Sequence, residues 1–109
     1  MEHINKVEIR GRVGTVRINE YNGRKVANFS VITEYLYKSR EGIPSSESTW
    51  HNVVAWHGKD IANLDNITKG ALVQLSGRMR ANKYTSADGV EKTYYEIMTN
   101  RLQVISEEA

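Results

Sequence analysis

Cysteine is absent from this 109-residue chain, and proline and phenylalanine occur once each, as Pro44 and Phe29. Without cysteine there is no disulfide, no thiolate metal site and no thiol nucleophile, a usage that fits a reducing compartment. No apolar run approaches the length of a membrane span. The start, Met1-Glu2-His3-Ile4-Asn5-Lys6, lacks the apolar stretch behind a basic end that marks a secretion signal. A cytoplasmic protein is therefore expected. Recognisable catalytic patterns are missing too. There is no Walker or Rossmann glycine pattern, no paired carboxylates for two-metal chemistry and no convincing Ser-His-Asp arrangement. His51 and His57 lie at even spacing, but no third ligand accompanies them, so neither a metal nor another cofactor is expected. Nothing supports an enzyme.

Acid is missing locally as well. From Asn66 to Ala87 there is no Asp or Glu, while Lys69, Arg78, Arg80 and Lys83 all fall inside. The net charge is only +2. A polyanion would thus be drawn by the local field rather than by the total. A solvated, mixed-charge surface gives the same charge pattern.

What is present is period-two alternation, the mark of a β protein. Val7, Ile9, Gly11 and Val13 alternate with Lys6, Glu8, Arg10 and Arg12, and the pattern resumes at Thr15–Ile18 after Gly14. A long first strand bent at glycine is how small barrels turn a corner. Asn22-Gly23 is a strong hairpin turn, because both central residues of a type I′ turn need positive φ. A second strand is predicted over Lys25–Tyr37. Lys38–Thr49, polar and containing Gly42, Pro44 and several serines, reads as a long mobile loop. A third strand follows over Trp50–Trp56. Ile61, Leu64 and Ile67 have near-helical spacing, so a short helix is predicted over Gly58–Ile67, stopped at Gly70. The fourth strand is expected over Ala71–Tyr84, a second hairpin turn at Asp88-Gly89 and the fifth strand over Thr93–Ile105. Three strands, a short helix and two strands is the order of an OB-fold, a five-stranded antiparallel Greek-key barrel. A generic α+β domain has the same order. We expect one domain over residues 1–105, with 106–109 a short C-terminal end.

Aromatics gather at strand ends: Tyr35 and Tyr37, Trp50 and Trp56, Tyr84, Tyr94 and Tyr95. Unpaired bases expose flat faces, and each stack on an aromatic ring contributes about 1–3 kcal/mol with little sequence preference. Aromatics also fill strands and small cores for packing reasons alone. The fourth strand favours binding. Arg78, Arg80, Asn82 and Tyr84 share one parity, while Val73, Leu75, Gly77 and Met79 share the other, expected to close the barrel. Guanidinium groups pair with phosphate or stack on bases. The candidate basic and polar contacts are Arg10, Arg12, Lys69, Arg78, Arg80, Asn82 and Lys83. Gly11-Arg12-Val13-Gly14 has the letters of a KH-domain loop but is flanked by strands, so a bend is the better reading.

These residues together resemble bacterial single-stranded DNA-binding proteins from Asn5 to about Ile105. The resemblance lies in Asn5-Lys6-Val7 with Gly11 and Gly14, Val26-Ala27-Asn28-Phe29-Ser30, and Thr49-Trp50-His51-Asn52-Val53-Val54 with Gly58-Lys59. It continues in Lys69-Gly70, Gly77-Arg78 and Lys83-Tyr84-Thr85 with Asp88-Gly89. It implies an OB fold, usually a homotetramer, that coats single-stranded DNA in replication, repair or recombination, with RNA a weaker partner. By position, Tyr37, Trp50, Trp56 and Tyr84 match the family's stacking aromatics. Tyr stands for the commoner Trp at 37 and 84, and Trp56 stands for the usual Phe. His51 matches a residue tied to subunit association, and His57 looks like an insertion. Typical members continue into a Gly/Pro/Gln-rich tail with an acidic tip that recruits other enzymes. Here the sequence stops at Ala109, so either this is the core of a longer chain or a short paralogue without tail-mediated recruitment. The alternative is an accessory protein of the primosome, like the dimeric PriB, active in replication restart.

Overall fold

The computed structural model describes residues 2–107. Strand β1 spans Val7–Tyr21, β2 Arg24–Lys38, β3 Pro44–Trp56, β4 Leu72–Thr85 and β5 Glu91–Val104. They close a barrel in the order β1-β2-β3-β5-β4, the OB arrangement expected from the strand order. All pairings between these strands are antiparallel except a short parallel seam, Val53↔Ile97 and Val54↔Met98.

The bend in β1 lies where the glycines indicated. Strand β1 pairs with β4 over Val7–Arg12 and with β2 from Arg12 onward, and its register slips between Val13 and Val16. At Gly11 a Cβ would fall 2.2 Å from the Ile32 carbonyl oxygen, so only glycine lets the two strands approach there. Asn22 and Gly23 have φ of 53° and 78°, the paired positive values of a type I′ turn. Inward residues of the strands, among them Val13, Phe29, Val31, Val53, Val73, Leu75, Ile97 and Leu102, form one core, which Leu64 and Ile67 join.

Two elements depart from the sequence-based expectation. Lys38–Thr49 is not a long loop: β2 and β3 stay paired out to Lys38↔Pro44, and only Ser39–Ile43 turns the chain. Its β3 part, Pro44–Thr49, is polar on both faces because it stands beyond the core, so it carries no hydrophobic alternation to reveal it. The radius of gyration of 16.4 Å, against about 13 Å for a compact domain of this length, reflects such projecting arms. The helix expected over Gly58–Ile67 shrinks to one 3-10 turn, Leu64–Asn66. Asn63 Oδ1 accepts from the Asp65 amide at 3.0 Å, and the Ile67 amide donates to Leu64 O at 3.1 Å. A three-residue turn therefore satisfies the Leu64/Ile67 spacing, while Ile61 forms an isolated bridge to Leu102. Asp and Asn here favour such local side-chain bonds over a helix. Gly70, with φ of 89°, closes the turn into β4 rather than ending a helix.

Candidate nucleic-acid interface

The outward row of β3 carries Trp50, Asn52, Val54 and Trp56. Cross-strand pairing sets Ile32 opposite Trp50, Ser30 opposite Asn52 and Asn28 opposite Val54, and Arg17 of β1 continues the last row. On the other side of the seam, β5 presents Tyr94, Glu96 and Met98, paired with Asn82, Arg80 and Arg78 of β4. An open groove of about 330 Å³ runs between the two halves, bordered by Thr15, Arg17, Asn28, Asn52, Tyr94 and Glu96.

Trp50 is the best-placed ring. It is 58% exposed, and its indole lies over Gly14, where a Cβ would come within 2.5 Å of the ring. The glycine that bends β1 therefore also seats the tryptophan of β3. Tyr84 and Tyr94 make a tilted pair, centroids 5.8 Å apart, both exposed. Tyr37 stacks on Tyr35 at 6.2 Å on the β2–β3 arm, and strand alternation puts it on the other face of the ladder from Trp50. Trp56 is half-buried and already engaged: Tyr21 packs at 6.0 Å and the Arg24 guanidinium sits 5.4 Å from its ring centre.

The basic residues divide. Arg78 is exposed on β4, but Arg80 and Asn82 both turn onto one oxygen of Glu96, a carboxylate only 9% exposed (Arg80 Nη2–Oε1, 2.5 Å). Lys83 faces Glu91 at 3.6 Å. Arg10 and Arg12 lie elsewhere, on the β1–β4 seam: Arg10 grips Gln74 Oε1, at 2.6 Å from Nη2, and Arg12 is paired with Glu107 and donates to Gly70 O. Hydrogen bonds from Arg12 hold the Glu107 carboxyl below its usual range. Lys69 is exposed next to Gly70. Met79, expected inside, is 43% exposed: it keeps the parity of Val73, Leu75 and Gly77, but past Gly77 β4 no longer pairs with β1 and runs on beyond the core as an arm paired with β5. It lines a second cleft with Trp50, Tyr95 and Glu96. Just outside, the Asn5 amide clasps the Met79 backbone, accepting its N–H at 2.9 Å and donating to its carbonyl at 2.7 Å. His51 shares a 2.9 Å hydrogen bond with Thr33 Oγ1, and burial lowers its pKa.

Sequence reasoning passed over Arg17, Asn28, Asn52 and Glu96. None stands out by spacing; only the β1–β2–β3 and β4–β5 registers bring them to one groove. Tyr84 and Tyr94 are both among the aromatics the sequence marks out; that the two rings meet becomes apparent only through the β4–β5 register.

The profile of the Single-strand binding protein family matches residues 4–105. The chain belongs to that family. It is 35% identical over 104 residues to the single-stranded DNA-binding protein of Neisseria meningitidis serogroup A and 36% identical over 106 residues to that of Xanthomonas campestris. Each alignment takes in 94% of this chain but 60% of the relative. Among solved structures, a complex of the Plasmodium falciparum single-strand binding protein with single-stranded DNA superposes with a TM-score of 0.79 at 29% identity, covering 96% of both chains. Among the described residues, no helix is long and apolar enough to cross a membrane.

Proposed function

We propose that this chain binds single-stranded DNA with little sequence preference, across the outward face of β3, β4 and β5, as a non-enzymatic coating module. The observation that carries the reading is the Trp50 ring, held open to solvent over Gly14 beside a groove that ends at Tyr94. The polar lining of the groove is amides, hydroxyls and arginine, groups that hydrogen-bond sugars, base edges and phosphates alike, with one carboxylate, Glu96, already held by Arg80 and Asn82. Family membership and the likeness to a solved complex with single-stranded DNA support this function over the primosome-type alternative. Trp50 and Tyr84 act as stacking platforms, with Arg78 supplying free positive charge. Residues 1–105 work as one domain, in the cytoplasm, within a homotetramer in whose contacts His51 takes part.

The test is a titration of intrinsic tryptophan fluorescence with oligo-dT and with duplex of equal length. Strong quenching by oligo-dT and little by duplex is expected. Equal response to both strands would remove the basis for a stacking mechanism.

A further inference from the structure

A carboxylate is out of place on a face that is to hold a phosphodiester chain, yet Glu96 borders the groove with Tyr94, Asn28 and Arg17. It is only 9% exposed. Alone, it would repel phosphate and carry a heavy desolvation cost. Arg80 and Asn82 offset both effects, but on one oxygen: each donates to Oε1. No side chain among the described residues donates to Oε2. Nor is that oxygen sealed in, since Thr99 Oγ1 is the one buried polar side-chain atom among those residues left without a partner. The groove therefore holds a neutralised carboxylate with one acceptor to spare.

Such an acceptor suits a base edge better than a phosphate. Phosphate oxygens only accept, whereas cytosine and adenine carry an exocyclic amine that donates, and carboxylates accept from cytosine N4 in direct readout. Thymine has a carbonyl oxygen where cytosine has its amine, so the two acceptors would oppose each other. The rest of the groove fits a base. Tyr94 offers a ring to its flat face. The side chains of Arg17 and Asn28, across the groove, are exposed and can donate to the ring nitrogen beside the amine.

We propose that this groove reads one base of the bound strand by its edge, Glu96 Oε2 accepting from the exocyclic amine of cytosine or adenine and disfavouring thymine. The inference rests on the DNA-binding function proposed above and deepens it. Stacking on Trp50 is indifferent to sequence, but one position in each domain is not. Arg80 and Asn82 are positioning residues, acting through the carboxylate they hold.

Oligo-dC and oligo-dU of equal length differ only along this edge, so the ratio of their affinities separates base reading from phosphate contacts. Both are titrated at mildly alkaline pH, where cytosine strands stay unpaired, against the unmodified protein, Glu96→Gln and Tyr94→Ala. The unmodified protein should favour oligo-dC by about tenfold, as one charge-assisted bond in an open groove allows. In Glu96→Gln the side-chain carbonyl stays with Arg80 and Asn82, and an NH2 donor takes the place of Oε2. The ratio should then fall to one or invert. Tyr94→Ala removes an exposed ring and leaves the Glu96 cluster intact, so it gives a second reading should Glu96→Gln fail to fold; it too should lower the ratio. Equal affinities in the unmodified protein, or a preference that either folded variant keeps in full, would overturn the proposal. Tighter binding of oligo-rU than of oligo-dU would assign Oε2 to a ribose 2′-hydroxyl and overturn it as well. If the unmodified protein binds neither oligo-dC nor oligo-dU, the DNA-binding function itself fails, a result distinct from these.

Discussion

Arg78 and Arg80 are two residues apart on one strand and have the same side chain, yet their surroundings give them different work. The Arg78 side chain is exposed and makes no hydrogen bond to another described residue, whereas Arg80 and Asn82 both hold the nearly buried Glu96. Removing one partner of a buried ion pair leaves the other charge uncompensated, at a cost of about 3–5 kcal/mol when the pair is fully buried. Arg80 is itself 43% exposed, so the loss here should be well below that range. Arg78→Ala is therefore expected to weaken oligo-dT binding and flatten its salt slope by about 0.7, with the unfolding midpoint unchanged. Arg80→Ala should lower the thermal midpoint. Equal midpoints for the two variants, read by circular dichroism, would contradict the assignment. Parity in the sequence places these arginines on one face, but it does not reveal a carboxylate from β5 waiting there for one of them.

At the scale of elements, the barrel is joined mainly by neighbours in sequence: β1 with β2, β2 with β3, and β4 with β5. Distant partners meet along the β1–β4 ladder and at the two-residue seam between β3 and β5. Contacts distant in sequence require closing a long loop before they give any return, so the local hairpins should form first. Val53→Ala at the seam is expected to speed unfolding more than it slows folding in stopped-flow denaturant jumps. A fall in the folding rate that accounts for all the lost stability would place the seam in the nucleus instead. The same contrast explains what could be read in advance. The Asn22-Gly23 turn, the bend of β1 and the strand order are written in local pattern. The outer half of the β2–β3 arm is not, because alternation marks a strand only where one face is buried. Nor is the 3-10 turn, since Leu64 and Ile67 satisfy a helix and a shorter turn equally well. For the interface, Trp50 and Tyr84 were legible as exposed aromatics. The engagement of Trp56 by Arg24 and Tyr21 was not, because it depends on how the β1–β2 turn folds back on β3.

For the molecule as a whole, His51 links stability to pH. Burial lowers its pKa, so the fold favours the neutral ring bonded to Thr33. The unfolded chain takes up its proton near the ordinary value of about 6.5, before the folded chain does. Stability from this group is thus complete above that value, declines as pH falls through it and levels off below the lowered folded value. The urea midpoint should drop between about pH 7.5 and pH 5, and His51→Gln should shallow that decline. An identical decline in the variant would assign the effect to other groups.

The short seam has a further consequence. Pro44–Asn52 of β3 and Glu91–Glu96 of β5 are each paired on one side only, so both present a bare strand margin. Such margins invite pairing with another chain and growth into aggregates. Here one begins at Pro44, which has no N–H to offer, and carries Glu47, while the other carries Glu91 and Lys92. Proline and charge along these margins disfavour such pairing, so the two arms are guarded against joining a second copy edge to edge.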